Sequence, residues 1–418
     1  MTTANPEDVR RGRRPGALAG TRDAVGGVLV AARESGRHML AHPLANYYML
    51  LGATGLLLTI GVIMVFSASS VYSYVHLDDS YAIVRRQLTW VALGLPAAVV
   101  ASRLPVRALR ALAWPGYAVA CVLLVLTFFL GEDRNGNQNW LSLGPVAIQP
   151  SEIAKLALVL WAAHVLACKE RLLHRWSHLV VPVVPGMLLF AGLVLLGKDL
   201  GTTLVFVALL MGMLWIVGTP VKTFLLAFAG LGALVGVFAY FDPERLSRIT
   251  SFTDPFKEFD DAGWQPAHGL YALATGEVFG SGIGASTQKW GTLPEAHTDF
   301  IFAVLGEELG LVGTLLVVGL FGVIAFAAIR VAVQARDPFV RYATFGVVVW
   351  LIGQMMINIG MVLAVLPVIG IPLPLISYGG SALLPTLVAL GMVIGFARRE
   401  GRDRSAPATG SAPVTERP

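Results

Sequence analysis

The stretch Leu293–Gly310 reads LPEAHTDFIFAVLGEELG and brings five ionisable side chains to the start of a long apolar segment. These side chains are Glu295, His297, Asp299, Glu307 and Glu308. From Leu309 to Ile329 the chain continues for 21 residues without a charge, which is enough to cross a hydrocarbon core about 30 Å thick. We therefore expect a membrane-spanning helix over residues 299–329, with Asp299 where the membrane meets water.

The composition of the chain indicates the class of protein. Of its 418 residues, 56% are hydrophobic and 14% are charged, and apolar runs of about 20 residues recur along it. This pattern predicts an all-α polytopic membrane protein and excludes a soluble multi-domain protein. The net charge of +5 does not indicate a nucleic-acid partner, because the basic residues fall in short loops and tails.

We predict about ten transmembrane helices. Their expected bounds are residues 47–66, 83–101, 109–130, 151–168, 179–197, 199–218, 221–241, 299–329, 340–366 and 381–397. With both termini cytoplasmic, 22 of the 31 Lys and Arg residues lie in cytoplasmic segments and eight in external ones, as the positive-inside rule requires. The helices form one membrane domain, 47–397, between two largely disordered cytoplasmic tails, 1–46 and 398–418. A large extracellular loop, 242–298, separates helices 7 and 8.

Asp299 is a candidate general base. An acid at a wet helix entrance with apolar walls can have its pKa raised toward the working pH while it stays accessible. The helix dipole also favours an acid at a helix N-terminus, so a purely structural role explains the same residue equally well. His297 and Asp299 form an H-x-D pair that could hold a divalent ion, although two ligands are weak evidence for a metal site.

Two further groups of charges lie at external helix ends. In QPSEIAK, residues 149–155, Glu152 and Lys155 share one helix face; they either neutralise each other or contribute to substrate binding. Asp199 opens another span from the same side, where it either caps the helix or faces the same cavity.

Arg85 and Arg86 lie outside, against the positive-inside bias. They are therefore candidates for binding an anionic group such as a diphosphate, unless one or both are solvated. Trp140, in NGNQNWLSLG, is more typical of an interfacial belt than of a catalytic site, but the neighbouring amides make a sugar-binding edge conceivable.

The segment PVIGIPLPLISYGG, residues 367–380, is dense in Pro and Gly. Such a composition suits irregular backbone that lines a cavity, which makes Ser377, Gly379 and Gly380 candidates for substrate binding. The match of GSGIGA, residues 280–285, to a dinucleotide fingerprint is false, because it lies in an external loop without a preceding strand. No Walker loop is present in the sequence, so we expect no nucleotide cofactor.

Four of these motifs together resemble one known family. QPSEIAKLALVLW, KDLGTT, GSGIGASTQKWGTLPEAHTDFIFAVLGEELG and LPLISYGGSALLP are similar to the motifs of the SEDS proteins of shape, elongation, division and sporulation. The similarity extends over about residues 47–397. PEAHTDFIFA and the preceding GASTQKWG are more similar to the division member than to the elongation member.

The resemblance implies a ten-helix peptidoglycan glycosyltransferase that polymerises lipid II at the outer face of the cytoplasmic membrane during cell division. It implies a catalytic role for Asp299, substrate-binding roles for Trp140, Glu152 and Lys155, and a divalent cation, Mg or Mn. The implied partners are a class B penicillin-binding protein with transpeptidase activity (FtsI-like) and other membrane proteins of division.

Three alternatives remain open from the sequence. A lipid II flippase would also place polar residues inside a helical bundle, but we expect its charges near the middle of the membrane. An elongation-type polymerase would carry out the same chemistry elsewhere in the cell. A noncatalytic scaffold for division proteins would keep the fold without the activity.

Overall fold

A computed structural model describes residues 42–134, 137–143, 146–173, 181–226 and 263–405, together with residues 229, 230, 232, 236, 255–257 and 259. Both predicted tails fall mainly outside the described residues, since these exclude 1–41 and 406–418. The same holds for residues 237–254, which contain the end of the seventh predicted span and the start of the large loop.

Helices form nearly all of the regular structure in these ranges. Those with defined bounds are α1 (Ala45–Leu77), α2 (Ala82–Arg103), α3 (Val106–Ala111), α4 (Ala113–Leu130), α5 (Pro150–Cys168), α6 (Val183–Leu196), α7 (Leu200–Ile216), α8 (Trp264–Thr275), α9 (Ile301–Gln334), α10 (Pro338–Val362) and α11 (Leu383–Ser405). Within the described residues, seven helices are long and apolar enough to cross a membrane, and α6 and α7 are shorter apolar helices. The predicted polytopic helical membrane fold is confirmed. The number of ten spans and their orientation stay predictions.

A small antiparallel sheet interrupts the helices between α4 and α5, where the sequence predicted only an external loop. Its strands are β1 (Glu132–Arg134), β2 (Asn137–Leu143) and β3 (Val146–Ile148), in the order β1-β2-β3. β1 and β3 have three residues each, too few to show an alternating pattern, and β2 begins with three polar residues, so the all-α prediction missed the sheet. The sheet places Trp140 in its central strand, opposite Glu132.

The helices pack closely around a buried apolar core. α9 packs against α1 and α10, α11 packs against α2, and α5 packs against α4 and α10. Glycine permits the closest approach: a Cβ built on Gly61 of α1 would lie only 2.2 Å from the carbonyl oxygen of Leu375. Small residues at helix interfaces are typical of membrane proteins, where close van der Waals packing stabilises association.

The predicted continuous helix over 299–329 is instead broken at Gly310, which has φ 66° and ψ −166°. The break leaves backbone groups that cannot pair within the helix. The segment 277–282 supplies their partners: its amides donate to the carbonyl oxygens of Glu307 and Glu308 at 2.9 and 3.0 Å, and its carbonyls accept from the two amides after the break. Hydropathy could not reveal this break, because apolar residues continue on its far side.

The side chains of two buried carboxylates hold the next part of this loop, residues 286–289. Glu307 accepts hydrogen bonds from the hydroxyl of Ser286 at 2.5 Å and from the backbone amide of Thr287. Glu308 pairs with Lys289 at 3.1 Å and accepts from the hydroxyl of Ser67 on α1 at 2.6 Å. The loop, α1 and the start of α9 are therefore joined into one unit.

We expect Gly310→Ala to destabilise the protein. An alanine there would have to keep a positive φ, and its Cβ would lie 2.3 Å from the amide nitrogen of Gly280; strained backbone of this kind costs about 1–3 kcal/mol before the clash is counted. Thermal unfolding of the purified protein in detergent would measure the change.

Gly319→Ala is the matched control, because Gly319 lies in the same helix and a Cβ built there meets nothing within 4 Å. We expect it to be neutral or to stabilise by roughly 0.5–1 kcal/mol, as Gly to Ala does in helix interiors. An equal melting temperature for the two variants would contradict the interpretation of the break.

Candidate functional site

Most of the candidate residues lie at one end of the helical bundle, which we call the site end. It is the end at which α1 finishes and α5, α7, α9 and α11 begin. Asp299 lies there two residues ahead of Ile301, the first residue of α9. Asp299 is therefore placed at a helix entrance, as the sequence predicted.

Asp299 is held by contacts to both its side chain and its backbone. Its Oδ1 accepts a hydrogen bond from the hydroxyl of Thr298 at 2.8 Å, and its backbone carbonyl accepts from Nδ2 of Asn358 at 2.7 Å. Gly370 lies against its other carboxylate oxygen, since a Cβ built on Gly370 would be 3.6 Å from Oδ2. The carboxylate is thus oriented on one side and faces a residue without a side chain on the other.

Burial changes the acidity of this carboxylate. Asp299 is 8% exposed, and burial raises its pKa from the ordinary 3.8 to about 6, with the Thr298 hydrogen bond acting in the opposite direction. Burial also lowers the pKa of His297, against the nearby charge of Glu295. Near pH 7 the site therefore contains an ionised Asp299, which becomes protonated at slightly lower pH, beside a neutral His297.

The segment predicted as irregular, residues 367–380, lies between α10 and α11 outside any α-helix, and because α10 ends at Val362 the irregular segment extends over 363–380. Side chains of α10 pair its backbone. Nδ2 of Asn358 donates to the carbonyl of Ile371 at 2.7 Å as well as to Asp299. Nε2 of Gln354, one helical turn earlier, donates to the carbonyl of Pro372 at 2.9 Å. Buried backbone groups outside regular structure need such partners, and α10 supplies them here.

Glu152 and Lys155 form a buried ion pair. Nζ of Lys155 is 2.8 Å from Oε1 of Glu152. The side chain of Lys155 is 1% exposed and that of Glu152 is 3% exposed. Lys155 also donates to Oε1 of Gln354 at 2.9 Å, and the indole of Trp350 donates to the same oxygen. The pair therefore orients the glutamine that holds the 363–380 segment, which favours mutual neutralisation with a supporting role over direct substrate contact.

Asp199 caps α7 and also anchors the strand that carries Trp140. Its Oδ1 accepts from the amide of Thr202 at 2.8 Å. Its Oδ2 accepts from the side-chain amides of Asn139 at 2.8 Å and Gln149 at 3.3 Å. The cap predicted as one of two roles for Asp199 is thus present, and the same carboxylate positions the residue next to half-buried Trp140.

His297 lies among aromatic rings. Its ring centroid is 5.2 Å from that of Tyr72 on α1 and 5.9 Å from that of Tyr378. The amide of Tyr378 also donates to the carbonyl of His297 at 2.9 Å. These contacts bring the 363–380 segment and α1 to the two sides of the HTD motif.

Ser377, Gly379 and Gly380 complete the turn that leads into α11. The hydroxyl of Ser377 accepts from the amide of Leu373 at 2.7 Å and so stabilises the turn from within. Gly380 has a positive φ of 46°, a conformation that glycine adopts without a steric cost. The three residues shape the site backbone; a Cβ built on Gly380 would lie 3.4 Å from the indole nitrogen of Trp90.

Arg85 and Arg86 lie near the start of α2, also at the site end, and both are exposed. Arg85 pairs with Asp79 in the turn between α1 and α2. Exposed ion pairs of this kind contribute about 0–1 kcal/mol, so this one is readily exchanged for a stronger anionic partner.

The described residues contain no group of three or more His, Cys, Asp or Glu side chains placed to hold a metal ion. Two protein ligands are too few for a closed structural site, whereas Mg²⁺ bound through one or two carboxylates takes its remaining ligands from substrate phosphates and water. The divalent cation implied by the resemblance therefore remains a prediction, and no catalytic step below uses it.

Sequence reasoning missed the two amides of α10. Gln354 and Asn358 are polar residues four apart in an apolar span, which places them on one helix face. Polar residues inside a span usually have a function, so this spacing was the available signal. What they bind could not be inferred, since their partners outside α10 are 13 to 199 residues away in the chain.

Curated relatives are similar in sequence to this chain over most of its length. A protein of Mycobacterium tuberculosis described as "Probable peptidoglycan glycosyltransferase FtsW" is 37% identical over 363 residues, which cover 86% of this chain and 69% of that protein. The stage V sporulation protein E of Bacillus subtilis is 37% identical over 356 residues, which cover 82% of this chain and 95% of that protein.

Solved structures share the fold. A chain of the structure described as "Structural coordination of polymerization and crosslinking by a peptidoglycan synthase complex" matches with a TM-score of 0.69 and 29% identity over 84% of this chain and 97% of that one. The rod shape determining protein RodA of Thermus thermophilus matches with a TM-score of 0.63 and 28% identity over the same shares of the two chains.

The family model for FtsW, RodA and SpoVE, described as "Cell cycle protein", matches residues 48–401. That range begins at the fourth residue of α1, contains α2 to α10 in full and ends within the last turn or so of α11. It therefore includes the whole site end. The resemblance found in the sequence motifs is thereby confirmed: this chain belongs to the FtsW, RodA and SpoVE family of cell cycle proteins, the SEDS family.

Proposed function

We propose that this chain polymerises lipid II into glycan strands during cell division, by inverting transfer at the outer face of the membrane with Asp299 as the general base. That it is a peptidoglycan glycosyltransferase of cell wall synthesis follows from its family and from the relatives described by that activity. The observation that supports the role of Asp299 is its placement: a buried carboxylate at a helix entrance, oriented by Thr298 and Asn358.

One base is sufficient for this reaction. An α-linked diphosphate donor and a β-linked product require inversion, so the acceptor hydroxyl attacks directly while one group removes its proton. Thr298 occupies Oδ1 of Asp299, and glycine at position 370 keeps the space beside Oδ2 clear of a side chain. Oδ2 is therefore the oxygen best placed to receive the proton of the acceptor.

The departing diphosphate needs positive charge rather than an acid. Lys155 is engaged with Glu152 and Gln354 inside the bundle, which makes it a poor candidate for this task. Arg85 and Arg86 are exposed at the site end, where they can accompany a charged headgroup at the membrane surface. If Mg or Mn takes part, the phosphate oxygens of the substrate would have to complete its coordination.

The proposed partner is a class B penicillin-binding protein of the transpeptidase type. It is suggested by the solved structure in which a similar chain belongs to a peptidoglycan synthase complex that coordinates polymerisation and crosslinking. A place at the division septum is suggested by the relatives described as FtsW. Both are proposals for this chain.

We expect Asp299→Asn to abolish glycan polymerisation from purified lipid II, assayed with the cognate transpeptidase in the presence of Mg or Mn. The asparagine keeps the size of the side chain but cannot take a proton, and loss of a positioned base costs about 10²–10⁴ in rate. Gel separation of labelled glycan strands would measure the product.

Glu170→Gln is the matched control, since it also removes one carboxylate charge but lies beyond the opposite end of α5, beside Arg341. It should polymerise like the wild type. Equal product from Asp299→Asn would place the chemistry elsewhere. No polymer from the wild type, together with translocation of lipid II in vesicles, would instead favour the flippase.

The rate should also depend on pH in a defined direction. A base works only when deprotonated, and the pKa of Asp299 is raised to about 6 by burial. We therefore expect kcat/KM to be level above about pH 7 and to fall about tenfold per pH unit well below pH 6, since kcat/KM reports the free enzyme. His297→Gln should keep this acidic limb. A limb with its midpoint near pH 4 would contradict the raised pKa of Asp299.

A further inference from the structure

The hydroxyl of Thr298 lies between two carboxylates. Its Oγ1 is 2.8 Å from Oδ1 of Asp299 and 2.7 Å from Oε2 of Glu295. A threonine hydroxyl has one proton to donate and two lone pairs that accept, so it donates to one carboxylate at a time. A hydrogen bond to the second carboxylate at this distance needs a proton on that carboxylate. The three oxygens are therefore arranged to share protons.

The three side chains also form a path from the interior to the surface. Asp299 is buried, Thr298 is half-buried and Glu295 is exposed. A base buried to this extent has little direct contact with water, yet it must lose the proton taken from one acceptor before it can serve the next. An exposed carboxylate one hydroxyl away provides a route by which that proton can reach solvent.

The backbone holds Glu295 in the position that this route requires. Glu295 has a positive φ of 54°, which is uncommon for a residue other than glycine. Its carbonyl accepts from the amides of Thr298 at 3.1 Å and Phe300 at 3.3 Å, which closes the chain into a tight turn. Strained backbone of this kind concentrates at functional sites, where surrounding contacts maintain it.

We propose that Thr298 and Glu295 form the proton exit path of Asp299. The inference rests on the proposed function, because only a base that takes a proton in every cycle needs an exit. After glycosyl transfer the proton is on Oδ2 of Asp299, and a half-turn of the carboxyl group brings it to the position next to Thr298, whose hydroxyl turns toward Glu295. Asp299 then donates this proton to Oγ1 of Thr298, while the original hydroxyl proton of Thr298 passes to Glu295. Glu295 releases that proton to water, and the Thr298 hydroxyl, with the proton from Asp299, again donates to the Asp299 carboxylate.

His297 is the other titratable side chain close to this turn. Its ring lies among the aromatic rings of Tyr72 and Tyr378, with centroids 5.2 and 5.9 Å away. The contacts of the Thr298 hydroxyl, in contrast, go to Asp299 and to the side chain and backbone carbonyl of Glu295. Hydrogen-bond distances between oxygen atoms thus connect Asp299 to Glu295 through Thr298.

The test compares Thr298→Val, Thr298→Ser and Glu295→Gln with the wild type in lipid II polymerisation at constant pH. Valine keeps the shape of threonine without the hydroxyl, serine keeps the hydroxyl, and glutamine cannot accept the proton. We expect Thr298→Val and Glu295→Gln to lower the steady-state rate by roughly tenfold or more, within the range of proton-transfer contributions. Thr298→Ser should retain most of the activity.

Two readouts separate proton exit from a structural role. The first turnover should proceed in Glu295→Gln at nearly the wild-type rate, because Asp299 starts deprotonated, and later turnovers should slow. Added imidazole, which can carry protons to and from a partly accessible site, should restore the steady-state rate of both defective variants. It should leave the wild type unchanged.

Thr292→Val is the matched control, because Thr292 lies in the same external loop and its hydroxyl donates to the backbone carbonyl of Gln288. Wild-type rates in Glu295→Gln, or a loss in both variants that imidazole does not restore, would overturn the proton exit path. Neither result would affect the role of Asp299, which is decided by Asp299→Asn. An active Asp299→Asn would remove the general-base role of Asp299 and the exit path together.

Discussion

The architecture of the site end depends on satisfying the hydrogen bonds of irregular backbone inside a membrane protein. Backbone groups without partners are costly in a bilayer, so nonhelical segments survive there only when protein pairs them. Asn358 does this most directly, because one side-chain amide donates to the carbonyls of both Asp299 and Ile371. That contact fixes the candidate base against the segment that lines it. The rest of the site is arranged around it.

The buried charged side chains have two different roles. The pairs Glu152–Lys155 and Glu308–Lys289 are enclosed and neutralised. Glu308 and Lys289 join α9 to the preceding loop, and Lys155 of the other pair, which lies within α5, also binds Gln354 of α10. Such pairs contribute little net stability relative to apolar packing, but removing one partner is costly, so they hold the elements in a unique arrangement. Asp299 has no such cationic partner among its described contacts, and its burial therefore raises its pKa. The same low-polarity surroundings that require pairing elsewhere make Asp299 a weaker acid here, which is the property that the proposed base needs.

The break at Gly310 relates these two roles of the buried charged side chains. It separates the first helical turns of α9, which begin two residues after Asp299, from the longer apolar piece of the helix, and the carbonyls and amides that it frees pair with the segment 277–282. The loop is thereby attached to the helix that follows Asp299. Movement of the loop would be transmitted toward Asp299 through this attachment.

Much of this protein follows from the sequence by itself. Uninterrupted apolar runs can be buried only in a bilayer, so the helical membrane fold and the position of Asp299 at a helix entrance are local consequences of composition and spacing. The motifs around Asp299, Glu152 and Ser377 were enough to indicate the family. Only the tertiary structure decided that Lys155 supports Gln354, that Asp199 holds the strand of Trp140, and that Gly310 breaks α9. Those roles depend on partners far away in the chain, and the energy of a buried polar contact is determined by the partner it meets in space.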